Sequence, residues 1–131
     1  MIGVSVKTID NTRAVVAASD KAAFRNFGHA AARISKDAKA SIITSDEPSE
    51  PGDPPHTRAQ SGHNLRVAIR YDATKQDAVI GPRASVIGEV GRLHEFGGIR
   101  GSQHFPERPF MRPALEANLS RFAREWEGSI S

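Results

Sequence analysis

The sequence predicts an α+β fold in which a small antiparallel β-sheet packs against a long N-terminal helix and a C-terminal helix. Three observations carry this expectation. Between residues 19 and 43, Phe24, Phe27, Ala31, Ile34, Ala38 and Ile42 recur at spacings of 3, 4, 3, 4 and 4, an apolar stripe at helical period. In "NLRVAIRYD", residues 64–72, Leu65, Val67 and Ile69 alternate with Arg66, Ala68 and Arg70, the pattern of a strand with one wet face. Near the C-terminus, Leu115, Leu119, Phe122 and Trp126 form a second helical stripe. Strands and helices are segregated along the chain, which is the α+β order.

The elements follow in sequence. Ile2, Val4 and Val6 alternate with Gly3, Ser5 and Lys7 as a short strand, and Asp10, Asn11 and Thr12 make a turn. "RAVVAA", residues 13–18, reads equally as a returning strand or as the approach to a helix. Ser19 or Asp20 is suited to cap the long helix. Residues 44–62, "TSDEPSEPGDPPHTRAQSG", hold four prolines and no apolar period, so an extended Pro-rich loop is expected, free in the isolated subunit. "ATKQD" turns the hairpin into "AVIGPR", which Pro82 terminates because it has no N–H for a ladder. Residues 84–96 predict one or two helical turns ended by Gly97 as a cap. Pro113 is placed at the first position of the last helix, with Glu116 in its first turn facing the helix dipole. At 131 residues, one domain spanning 1–131 is expected.

Composition narrows the function classes. The absence of cysteine excludes disulfide scaffolds, Cys-ligated zinc and thiol catalysis. Eighteen basic against 15 acidic residues, a net charge of +3, make a mixed surface rather than a basic one. The hydrophobic fraction of 38% and mean hydropathy of -0.43 describe a lean core that assembly could complete. No run approaches the roughly 18 apolar residues of a membrane span, and "MIGVSVKTID" lacks a secretion signal, so a protein made and used in solution is expected.

Residues 93–116, "LHEFGGIRGSQHFPERPFMRPALE", concentrate the functional question. A zinc protease places histidines at i and i+4 of a helix, and "HEFGG" has Gly98 where the second would stand. A scattered site of His56, His63, His94 and His104 has no recognisable spacing. No serine lies in a G-x-S-x-G elbow, and Ser102 with His104 is only a two-residue coincidence. Glu89, Glu95 and Glu107 stand close to arginines, as surface ion pairs do. "IGPR" and "GGIRG" lack the Gly-Lys-Ser/Thr ending of a phosphate loop. Neither a catalytic residue, nor a metal, nor a cofactor is therefore expected. What remains is an anchor: Phe96, Phe105 and Phe110 on irregular segments among Arg92, Arg100, Arg108 and Arg112 are residue types enriched at interface hot spots. Pro109 and Pro113 bracket Phe110 and Met111 and limit the entropy lost on docking. Phe110 is expected to fill the core, to face a partner, or both.

The ordered set "PGDPPHTRAQSGHNLRVAIRYD", "AVIGPR", "LHEFGG" and "RPFMRPALE" resembles the tail-completion and head-to-tail joining proteins of tailed bacteriophages, over about half of the chain. Where that family shows a Thr-Gly-x-Leu turn, this sequence has Ser61 before Gly62 and two residues before Leu65. The resemblance implies a non-enzymatic virion protein of the neck or tail, assembled in the host cytoplasm as a ring of its own copies, taken as a hexamer. Its partners would be connector, tail-tube or terminator proteins, with DNA passing through the lumen unread and no membrane. A tail terminator is the alternative within the particle; a small hydrolase and a DNA-binding module are the alternatives of other classes. The interface expected comprises Phe96, Gly97, Gly98, Arg100, Arg108, Pro109, Phe110, Met111 and Arg112, and the assembly loop Asp46, Glu47, Glu50, Asp53, Pro54 and Pro55.

Overall fold

The computed structural model describes residues 3–5, 11–58 and 65–129. Residues 3–5, the described part of the strand expected at residues 2–6, are exposed and form no strand, while the Ser61–Gly62 turn lies outside the described residues. The chain runs α1 (Thr12–Ser41), α2 (Leu65–Ala68), β1 (Ile69–Ala73), β2 (Ala78–Pro82), α3 (Ala84–Ile87), α4 (Val90–Phe96), β3 (Gly98–Arg100), β4 (Gln103–Phe105) and α5 (Met111–Glu125). The class is α+β, with two short antiparallel sheets and two long helices.

Residues 13–18 belong to α1, which starts at Thr12 and spans 30 residues. Its buried face is built of Ala22, Ala23, Asn26, Ala30, Ala31, Ile34, Ser35 and Ala38. Small side chains let β1, β2 and α5 approach closely, and all three pack on this helix. Phe24, expected in the stripe, is 57% exposed. β1 and β2 pair in register Ile69↔Pro82, Tyr71↔Ile80 and Ala73↔Ala78 on one face.

Two expected boundaries move. Residues 65–68 form a helical turn instead of the start of a strand, so Leu65, Ala68 and Ile69 are buried while Val67 is half exposed. Over five residues, "LRVAI" satisfies period 2 and a helical turn alike, and burial of Ala68 decides it. Residues 98–105, expected as loop, form the β3–β4 hairpin turning at Gly101, whose φ is 63°. Three-residue strands are too short to show a period.

Helices α3 and α4 break at Gly88, φ 61°, and α4 ends at Gly97, φ 68°. A β-carbon on Gly91 would lie 2.4 Å from Pro82 Cγ, so only glycine allows α4 to lie on the end of β2. A β-carbon on Gly97 would lie 2.9 Å from the Phe105 carbonyl oxygen. Of the two adjacent glycines of "HEFGG", Gly97 thus serves a close backbone crossing, while Gly98 is favoured by its φ of 150°.

The α5 stripe is also displaced. Ala114 and Asn118 face α1, while Leu115 and Leu119 are 44% and 50% exposed. Polar contacts fix this rotation: Asn118 donates to Asp37 at 2.8 Å, Arg33 meets Glu125 at 2.6 Å and Asn26 donates to Ser129 at 3.1 Å. Phe27, Phe122 and Trp126 pack together with centroids 5.4 to 6.0 Å apart, the two phenylalanines tilted and each edge-to-face with Trp126.

The core cluster joins Ile34, Ala38, Ile42, Leu65, Ile69, Phe110 and Ala114. Phe110, fully buried, is its largest member. Removing a buried phenylalanine ring leaves a cavity that costs about 3 to 5 kcal/mol. Phe110→Ala is expected to lower the unfolding free energy by that much, seen as a lower denaturant midpoint with the slope unchanged; a loss under about 1 kcal/mol would remove Phe110 from the centre of the core.

Candidate functional site

The segment from α4 to α5 is organised by one carboxylate. The N-cap position of α5 is Phe110, whose side chain offers no acceptor. Glu95, on α4, supplies it: the Phe110 and Met111 amides donate to Oε2 and the Arg112 amide to Oε1, each at 2.9 Å. A helix leaves its first four N–H groups without intrahelical partners. Here three end on Glu95, and the fourth belongs to Pro113, which has none. Pro113 therefore stands third in the helix, and the acid facing the dipole is Glu95 rather than Glu116.

This use leaves both carboxylate oxygens engaged. The neighbouring His94 accepts the Arg108 N–H through its backbone carbonyl at 2.6 Å. Burial of the imidazole, and then the nearby Arg108 charge, hold its pKa below the ordinary 6.5. His56 Nδ1 lies 2.7 Å from the Glu47 carbonyl, and His104 is exposed on β4. His63 lies outside the described residues. Among the described residues no three His, Asp or Glu side chains gather as a metal site.

The Pro-rich loop is not free. Ser45 N–H donates to Thr57 and Thr57 N–H to Ile43, closing residues 44–57 into a ring at its base. Arg108 Nε donates to the Ser49 carbonyl at 3.0 Å, and Gly52 N–H to the Glu107 carbonyl at 2.8 Å. Pro55, Ser49 and Thr57 are buried. The expectation of an extended arm with nothing to pack on at home is corrected over residues 44–58: prolines remove donors, but the remaining amides and Pro55 find partners within the chain. Asp46, Glu47, Glu50 and Asp53 point outward, and Pro54 is partly buried.

The expected interface divides. Phe110 is 0% exposed, so it presents no area to a partner; Glu95 draws its backbone inward and its ring enters the core. Arg108 is partly buried and spent on Ser49, and Gly97, Pro109 and Met111 are partly buried. Phe96, at 59%, Gly98, Arg100 and Arg112 are exposed. They line two adjoining depressions that share Gly88, Glu89, Arg92 and Phe96. One, of about 620 Å³, has Ile80, Pro82, Phe96, Met111 and Leu115 in its lining with Arg92 and Arg112. The other, of about 720 Å³, is lined by residues between Ile87 and Arg100. Sequence reasoning missed the part played by β2 and Leu115. It also missed the signal for Glu95, a helix start "RPFMRP" with no capping residue of its own.

Comparison with protein-family models, with curated proteins and with solved structures finds no match to this chain.

Glu95→Ala strands three amides and is expected to cost about 3 kcal/mol, whereas Glu95→Gln keeps one acceptor and loses about half of that. Equal stability of both variants with the parent would show that α5 needs no outside cap. His94 titrates with a depressed native pKa, so the native state favours the neutral ring. Stability is therefore intact above the unfolded value of 6.5 and falls as pH drops through it toward the native value. His94→Gln should flatten the part of the stability profile that falls as pH drops below the unfolded value of 6.5, measured by urea unfolding. An unchanged slope would assign the acid loss to other groups.

Proposed function

We propose that this chain is a structural subunit of a tailed-phage neck or tail, a tail-completion or head-to-tail joining protein that works as a closed ring of its own copies. One observation carries the assembly reading. Among the described residues, only five buried hydrophobic side chains exceed alanine in size (Ile34, Ile42, Leu65, Ile69 and Phe110), while fourteen large apolar side chains are exposed. Val79 at 69%, Phe96 at 59% and Ile99 at 64% are among them. A chain that keeps alanine inside and larger apolar groups outside has area to bury on a partner. The "LHEFGG" and "RPFMRPALE" pieces of the phage resemblance support the rest, because Glu95 makes them one structural unit.

The reading assigns no chemistry to His94 or Glu95. Glu95 closes a helix, and His94 takes part in the same turn through its backbone. DNA would pass through the lumen without base-specific contact, and the virion is the site of action. No helix among the described residues is long and apolar enough to cross a membrane.

The test is mass. Light scattering or mass photometry of the purified protein, alone and with a tail-tube protein, is expected to show a closed multiple of 14.2 kDa. A monomer under both conditions at tens of micromolar overturns the ring. Metal-dependent nuclease, peptidase or muramidase turnover that disappears in His94→Ala would overturn the structural role.

A further inference from the structure

We infer that neighbouring copies join head to tail, the acidic Pro-rich loop of one copy seating in the groove between β2, α4 and α5 of the next. The inference rests on the ring reading and deepens it by naming the two surfaces and their chemistry.

The groove has an apolar lining that includes Ile80, Pro82, Phe96, Met111 and Leu115. Arg92 and Arg112 line it, and Arg100 lines the adjoining depression, which Arg92 shares. None of these three arginines has an ion-pair partner among the described residues. Glu95 is occupied by the α5 amides, so among the described residues of the groove lining Glu89 is the one other carboxylate left to oppose them.

The loop supplies the complement. Asp46, Glu47, Glu50 and Asp53 are exposed and likewise without an ion-pair partner among the described residues. Its base is closed by the Thr44↔Thr57 bridge, and its middle is pinned to Glu107 and Arg108. So held, it lines neither depression of its own chain. Two patches of opposite charge, each unpaired at home and set at different places on one chain, make a heterologous contact, the kind that closes into a ring or extends as a filament. The pinned loop loses little further freedom on docking. A second copy is favoured over nucleic acid because the groove's cations share an apolar lining, whereas a phosphate backbone is met by polar and basic surface.

Charge exchange tests the pairing. Arg92→Glu/Arg112→Glu and, separately, Glu47→Arg/Glu50→Arg are each expected to weaken self-association by about tenfold or more while the melting temperature stays that of the parent. Mixing the two variants should restore assembly with alternating copies, since each then faces an opposite charge. The milder Arg92→Gln/Arg112→Gln variant covers the case in which reversal disturbs folding, and it should show a smaller loss. Parent assembly unaffected by either variant overturns this contact and leaves the ring standing. Dissociation of both variants without rescue on mixing overturns the pairing of these two surfaces. A monomeric parent overturns the ring and the contact together.

Discussion

The carboxylate of Glu95 is the constraint on which the rest of the C-terminal half depends. It ties α4 to the first turn of α5, and Phe110 sits at that junction. Because the Phe110 amide must reach Glu95, the ring behind it is carried into the cluster of Ile34, Ile42 and Ile69. The same junction sets the direction of residues 107–109, and through Arg108 and Glu107 it holds the Pro-rich loop. A charge-assisted cap is stronger than a neutral one, and it draws further strength from the positive end of the helix. Partial burial of α5's start makes such a cap necessary, since amides left there without water or partner would each cost about 1 to 3 kcal/mol.

A second constraint is the alanine face of α1. Alanine gives close approach but little apolar area, so the seam between α1 and α5 depends on polar pairs for its rotation. Asp37–Asn118, Arg33–Glu125 and Asn26–Ser129 sit along it in antiparallel order. The partly buried ion pair contributes register more than free energy, because desolvating its two charges offsets much of their attraction. Arg33 Nε and Nη2 and Glu125 Oε2 have no protein partner, which fits that accounting. The outcome is that Leu115 and Leu119 turn outward, and the outer face of α5 becomes apolar surface.

The long helix, the hairpin and the C-terminal helix are legible in the sequence because their periods extend over enough residues. The part of α1 from residue 19 to Ser41 and the pairing of β1 with β2 follow from patterns that longer windows support, whereas residues 13–18 and the start of β1 do not. Shorter units are not legible in this way. "LRVAI" fits two periods, and "GIR" and "QHF" fit none. The rotation of α5 is hidden for another reason: Ala114 and Asn118 look unlike core, and only the alanine face opposite makes them so. The anchor residues were legible as a group around α4 and the start of α5. What the sequence could not separate was which side of the backbone each would take, since that is decided by Glu95, fifteen residues before the amide it caps.

The pinned loop changes the energetics of any contact made through it. An extended arm would have to lose roughly 1 to 2 kcal/mol of backbone freedom per residue on docking, which few exposed carboxylates could offset. Residues 44–57 have already lost that freedom in folding, compensated by the bridge at the base, the burial of Pro55 and the bonds to Glu107 and Arg108. Its four outward carboxylates are held as a fixed array, and a fixed array recognises a fixed groove by geometry as well as by charge. Both partners of such a contact depend on Glu95, one through the α5 start that lines the groove and the other through the 107–108 segment that holds the loop. Loss of that one carboxylate would therefore loosen the two surfaces together, and association should fall by more than the folding stability of the single chain accounts for.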